Sequence, residues 1–203
     1  MTLVIEIMAV ICGAVYGVLL ARRKQMDFVG VFSVAFMTSF GGGTLRDLLL
    51  DRHPLFWIQY AWYPAVVFVV AALVSLVRRI PDWVEKVLPV PDAVGLGLFS
   101  IVGTQIALNQ NVDPFIAILL GVITGTFGGV IGDIACNEEP NLFRPGTPLY
   151  ATCAFAGATM LIFLTWLKVP DSIAFSVSAA VVVIVRLVAL RYRICLKELS
   201  IRS

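Results

Sequence analysis

The sequence predicts an all-α polytopic membrane protein: seven transmembrane helices, arranged as two inverted three-helix repeats plus a seventh helix. Three observations carry that prediction. Of 203 residues, 60% are hydrophobic and only 14% are charged, and mean hydropathy is +0.95, so polar surface is too scarce for a water-soluble globule of this length. Seven apolar stretches approach the roughly 20 residues that a bilayer asks of a helix. The third observation is an internal match at an offset of 86 residues.

In chain order the spans cover about 3–21, 27–50, 61–78, 92–108, 114–136, 149–167 and 172–194, bounded by polar clusters such as "ARRKQMD", "RRIPDW" and "NQNVDP". Span one makes a poor cleavable signal and is expected to be retained, because its basic cluster follows the apolar stretch and no small-residue cleavage site stands out. Asp27 and Asp113 precede spans two and five and are expected to cap them. Spans two and five also hold glycine runs and charges. Because no lipid-facing backbone goes unpaired, such irregularities must be buried in protein or line a wet cavity.

Basic residues orient the chain. One side receives Arg22, Arg23, Lys24, Arg78, Arg79, Lys86, Arg144, Arg191, Arg193, Lys197 and Arg202, the other only Arg52 and Lys168. The positive-inside rule then places the N-terminus outside, or in an organelle lumen, and the C-terminus in the cytoplasm.

The repeat is gapless from position 6 to 54. It pairs Gly17 with Gly103, Ala21 with Ala107, Asp27 with Asp113, Thr38 with Thr124, Gly42 with Gly128, Gly43 with Gly129, Asp47 with Asp133 and Pro54 with Pro140. Glu6 and Asp92 are equivalent too. Eight identities in 49 pairs is a low count, but they fall on loop-start aspartates, a glycine pair, an intramembrane aspartate and a loop proline. Each repeat holds three spans, about 3–80 and 90–167. An odd number inverts the second copy, the architecture of transporters and some channels, with the site expected where the halves meet.

At that site the glycines are expected to break their helices. Gly41, Gly42 and Gly43 in span two, and Gly128 and Gly129 in span five, can unwind the chain. Carbonyls so freed, with the hydroxyls of Thr38, Ser39, Thr124 and Thr126, would replace part of a cation's water shell. The competing reading is that glycines let helices pack closely.

Intramembrane charges sharpen the expectation. Asp47 is predicted toward the external mouth and Asp133 toward the cytoplasmic one, where carboxylates concentrate cations; helix-end or salt-bridge roles are the alternative. Neighbours on a helix do not face each other, so Arg46 is expected to pair with an acid on another span rather than with Asp47, or to gate the pathway or anchor a carboxylate. Arg186 in span seven either serves likewise or snorkels to the interface. Tyr16 and Gln105 offer polar groups between the repeats.

The stretches "ARRKQMDFVGV", "GGGTLRDLLL" with its following proline, "DAVGLGLFSIVGTQIAL" and "CNEEPNLF…LYATCAFAGA" resemble bacterial members of the trimeric intracellular cation (TRIC) channel superfamily, whose close relatives include proteins described as glycine transporters. The resemblance covers nearly the whole chain. It implies a homotrimer in the bacterial inner membrane, with a pore inside each seven-helix protomer and passive monovalent cation conduction, chiefly of potassium. One departure stands out: the second repeat usually carries an arginine before its aspartate, whereas "GGVIGD" has Gly132 where Arg46 sits in the first.

Other motifs are sparse. His53, the only histidine, has no ligand partner at metal spacing, and Cys12, Cys136, Cys153 and Cys195 form no CxxC pair. Trp57, Trp62 and Tyr63 suit an interfacial aromatic belt. No phosphate loop, nucleophile elbow or dinucleotide fingerprint is present, so no enzyme, cofactor, resident metal or nucleic-acid partner is expected beyond lipid and a transient cation. Two classes stay open: a cation channel, and a secondary transporter of a small amino acid such as glycine.

Overall fold

The computed structural model describes residues 2–77 and 89–196, with side chains from Val4 onward. The end of the third predicted span, and Arg78, Arg79, Lys86, Lys197 and Arg202 of the orientation count, lie outside the described residues. Among the described residues eight helices follow one another: α1 (Thr2–Arg23), α2 (Phe28–Leu49), α3 (Phe56–Gln59), α4 (Trp62–Leu76), α5 (Pro89–Asn109), α6 (Pro114–Ala135), α7 (Ala151–Trp166) and α8 (Asp171–Tyr192). Five of them (α1, α2, α5, α6 and α8) are long and apolar enough to cross a membrane, whereas α4 and α7 are shorter apolar helices. These seven match the seven predicted spans. The four-residue α3 is additional, too short to carry a periodic signal.

Polar side chains set the helix ends. Asp27 accepts from the Gly30 N–H at 2.9 Å and Asp113 from the Phe115 N–H at 2.8 Å, so both aspartates cap as their positions predict. At the other end of α1, Arg22 donates to the Val74 and Val77 carbonyls, using a cation to satisfy acceptors that the end of α4 leaves open.

The helices pack as two triplets with the same pairings. In one, α1, α2 and α4 touch one another; in the other, α5, α6 and α7 do. α2 crosses α6, α1 lies along α5, and α8 packs on α5 and α7. Around α2 and α4 an aromatic cluster fills the core: Phe40 meets the Phe56 ring edge-on at 5.7 Å and Phe36 meets Trp57 at 5.2 Å. Leu48, Leu73, Leu76, Phe163 and Ile184 are exposed on the outside, as lipid contact requires.

The glycine runs do not break their helices. α2 is continuous from Phe28 to Leu49 and α6 from Pro114 to Ala135, so no helix ends at Gly41–Gly43 or Gly128–Gly129. What the missing side chains permit is contact. A Cβ on Gly42 would overlap the Thr124 carbonyl oxygen, and one on Gly128 would overlap the Thr38 carbonyl oxygen. The register runs Thr38 to Gly128 and Gly42 to Thr124, so the two helices are antiparallel and meet backbone to backbone. Gly17 and Gly103 extend the pattern: each would place a Cβ into the hydroxyl of Thr38 or Thr124 respectively. A helical glycine costs roughly 1 kcal/mol relative to alanine, and here close approach offsets it.

Candidate functional site

The antiparallel crossing puts the two intramembrane aspartates at opposite ends, five residues beyond Gly42 and Gly128 respectively. Their surroundings differ. Asp47 is fully buried, and one of its carboxylate oxygens accepts from Arg46 Nε at 2.9 Å and Nη2 at 2.7 Å, while the other accepts from the Phe56 N–H at 2.9 Å. This corrects the expectation that Arg46 seeks an acid on another span. Its long side chain folds round to the next residue, and the guanidinium lies over the Phe56 ring at 5.3 Å. Gly43 faces the same ring. Arg52 Nη1 also stands 3.7 Å from Asp47, so the Asp47 end is a closed cluster of two guanidinium groups on one carboxylate.

Asp133 is 3% exposed and takes only neutral donors: the Tyr16 hydroxyl at 3.2 Å, the Asn141 N–H at 3.1 Å and the Asn141 amide at 3.4 Å. Among the described residues no cation lies within ion-pair distance of it. The reason is local. A Cβ on Gly132 would overlap the Thr38 methyl, so the position before Asp133 has no room for an arginine. The asymmetry between Arg46 and Gly132 in the sequence thus becomes an asymmetry of charge.

Asp133 borders a cavity of about 310 Å³, together with Tyr16, Asp92, Asn141 and Arg186. At its rim stand Glu138, Glu139 and Arg144; Lys24 pairs with Glu138 at 2.5 Å, and Arg144 pairs with Glu139 at 3.5 Å. The Lys24 ammonium holds the Glu138 carboxyl below its ordinary range. Deeper in, a second space of only about 20 Å³ shares Tyr16 and Asp92 with the first and reaches Gly13, Thr38, Gly125 and Gly129. Tyr16 and Asp92 thus line both the larger cavity and the small one beside the α2–α6 crossing.

Asp92 is held from two sides. Its Oδ1 accepts from the Tyr150 hydroxyl at 3.0 Å, and Arg186 Nη2 stands 3.6 Å from Oδ2. Arg186 is buried rather than snorkelling outward: Nη1 donates to the Pro148 and Leu149 carbonyls at 2.8 Å each, and the guanidinium covers the Tyr150 ring at 4.6 Å. It braces α8 against α5 and the start of α7. The other half contains a parallel pair, with the Tyr63 hydroxyl donating to Glu6 at 2.7 Å. The sequence comparison aligned Glu6 with Asp92 but missed both tyrosines, which lie 87 residues apart rather than 86.

The remaining expected residues divide. The single Thr38 proton is shared among the Gly13 carbonyl at 2.8 Å and carbonyls of its own helix, Ser39 donates to the Val10 carbonyl at 3.2 Å, and Thr124 and Thr126 donate to carbonyls four residues back. Their protons are used within the bundle. Only lone pairs are left for a cation, and of the four only Thr38 lines the small cavity. Gly41 lies against Gly128 and Ile131. Gln105 bonds to Asn109 on its own helix at 3.1 Å and does not join the halves. Among the described residues no His, Cys, Asp and Glu group forms a metal cluster.

Comparison with known proteins agrees with this architecture. The family model described as "Glycine transporter" matches residues 3–79 and 89–166. The chain is 37% identical over 194 residues to the UPF0126 inner membrane protein YadS of Escherichia coli K12, covering 93% of this chain and 91% of that one. It is 36% identical to a UPF0126 membrane protein of Vibrio cholerae, over 93% of this chain and 78% of that one. Among solved structures, the TRIC trimeric intracellular cation channel orthologue from Rhodobacter sphaeroides superposes with a TM-score of 0.89 at 34% identity, covering 94% of this chain and 97% of that one. A TRIC structure described for conductance through these channels superposes with a TM-score of 0.88 at 31% identity, over 98% of both chains.

Proposed function

The chain belongs to the glycine transporter family of that model and shares the fold of the TRIC channels, and on this premise we propose that it is a monovalent cation channel of the inner membrane, conducting chiefly potassium. The observation that carries the reading is Asp133: a buried carboxylate with no ion-pair partner among the described residues, on the wall of a cavity of about 310 Å³. An ionised carboxylate whose hydrogen-bond donors are all neutral draws cations and repels anions. The route runs inside each protomer of a homotrimer, from the larger cavity past Tyr16 and Asp92 and along Thr38 and Gly129.

That route differs from a pore through broken helices, because α2 and α6 are unbroken; it follows their crossing instead. The two triplets are read as inverted repeats, with the larger cavity cytoplasmic and the N-terminus outside. Arg23, Lys24 and Arg144 at the cavity end favour that orientation. The Arg46–Asp47 pair closes the opposite end, and Arg186 braces the open one.

Purified protein in planar bilayers tests this. Potassium currents are expected at rates beyond alternating access, depressed several-fold by Asp133→Asn and less by Asp47→Asn. Saturable glycine counterflow without resolvable currents would sink the channel in favour of a transporter, the reading that the family description favours.

A further inference from the structure

The chain does not run straight out of α8 into solvent. Arg193 takes the left-handed backbone with φ 52°, and the Ile194 N–H returns to the Ala189 carbonyl at 3.0 Å. The following residues lie back against the loop after α6: the Leu149 N–H donates to the Ile194 carbonyl at 2.9 Å, and Pro148 and Cys195 form an antiparallel bridge. Residues 194–196 are thus a strap across that loop.

The strap is fastened beside the charged lining of the larger cavity. Leu149 gives its N–H to the strap and its carbonyl to Arg186, which stands next to Asp92. Farther back in the same loop Thr147 donates to the Asn141 carbonyl at 3.0 Å, and Asn141 donates to Asp133. One loop therefore links the strap to both acids.

The outer face of the strap has a different character. Tyr192 and Leu196 are 73% and 67% exposed, and Ile194 and, on the loop, Phe143 also stand open. Arg191 and Arg193 are exposed among them and pair with no acid among the described residues. Open apolar side chains are unfavourable in water, and unpaired guanidinium groups favour negative charge. Because the patch sits where the membrane-spanning α8 ends, one environment meets both needs: a headgroup layer sets phosphates against the arginines and the acyl boundary against the apolar groups.

We propose that this patch docks on anionic phospholipid headgroups of the inner membrane, and that the docked strap steadies the loop that positions Arg186 and Asn141. Zwitterionic lipid offers the apolar contact without the net negative charge, so docking follows the anionic fraction of the bilayer. The proposal rests on α8 ending at the headgroups and does not require that the protein conduct ions.

The test is amide hydrogen exchange of the purified full-length protein in nanodiscs of phosphatidylcholine alone, and of phosphatidylcholine mixed with phosphatidylglycerol. The peptide containing Leu149 should exchange about threefold or more slowly in the anionic discs, and high salt should shrink that difference. Arg191→Gln combined with Arg193→Asn should abolish the lipid dependence; asparagine tolerates the left-handed backbone at the second position. Exchange at Leu149 that is the same in both discs overturns the proposal, as does a lipid dependence that the double variant retains, since the lipid then acts elsewhere. Melting curves check folding of the double variant; if it unfolds, the salt series on the wild type decides, and a difference indifferent to salt overturns the proposal. Bilayer currents from the same preparations are a separate readout. Lipid-dependent exchange without currents leaves the strap standing and sinks the channel, whereas currents with lipid-independent exchange do the reverse.

Discussion

Arg46 and Asp47, consecutive on α2, form a buried ion pair with two guanidinium nitrogens on one carboxylate oxygen at 2.9 and 2.7 Å. Both side chains are at most 2% exposed. Removing one partner of such a buried pair typically costs about 3–5 kcal/mol, and Arg52, farther off at 3.7 Å from Asp47, offsets only part of the loss of Arg46. Arg46→Met should therefore destabilise strongly, whereas Arg46→Met combined with Asp47→Leu should recover much of the loss. Melting curves in detergent for the wild type, both single variants and the double variant measure the coupling. A double variant no more stable than the worse single one would contradict it.

The α2–α6 crossing gives a second expectation. Gly42 and Gly128 meet backbone carbonyls, which cannot move aside as a side-chain tip can, so Gly42→Ala and Gly128→Ala must push the helices apart. Overpacking of this kind costs about 1–3 kcal/mol. Gly95 is the control: a Cβ there would sit 3.6 Å from the Cys12 Cβ, an ordinary contact. Gly95→Ala should stay within about 0.5 kcal/mol of the wild type. Thermal midpoints of the three variants check the contrast.

These two sites show what the sequence makes legible and what it hides. Seven spans, the helix caps at Asp27 and Asp113, and the equivalence of Gly42 with Gly128 follow from periodicity, residue chemistry and the 86-residue offset. The use of those glycines does not, because a glycine run reads alike whether it breaks a helix or admits a neighbour, and only the neighbour decides. Arg46 misleads because position on a helix fixes where Cβ points, not where a long flexible side chain ends. Asp133 is visible as a charge, but the neutral donors that hold it, Tyr16 and Asn141, are brought in by other segments. Tyr63 and Tyr150 escape a gapless comparison because the loops before them differ by one residue.

Those tyrosines support a third expectation. Tyr63 is fully buried and its hydroxyl donates to Glu6, as Tyr150 donates to Asp92. Tyr63→Phe keeps the ring and deletes one hydrogen bond, a loss of about 1 kcal/mol, or up to about 3 where the acceptor is ionised. Tyr150→Phe should also loosen Asp92, leaving Arg186 as its remaining charged partner. The channel reading then predicts a change in current from Tyr150→Phe but none from Tyr63→Phe, read from bilayers made with each variant.

The rim contributes a pH dependence whose sign can be worked out. Lys24 closes α1 onto the loop after α6 by pairing with Glu138, and the ammonium lowers the glutamate's pKa from its ordinary value. A carboxyl depressed in the folded state contributes stability above its unfolded pKa of about 4.3. That contribution disappears as pH falls through the lower folded value. Wild-type protein should therefore melt at a higher temperature than Glu138→Gln near neutral pH, and the gap should close progressively below pH about 4 as both proteins become uncharged at this position. The pair is exposed, so added salt should also narrow the gap at neutral pH. A difference that persists unchanged at low pH would mean that Glu138 acts by packing and not by its charge.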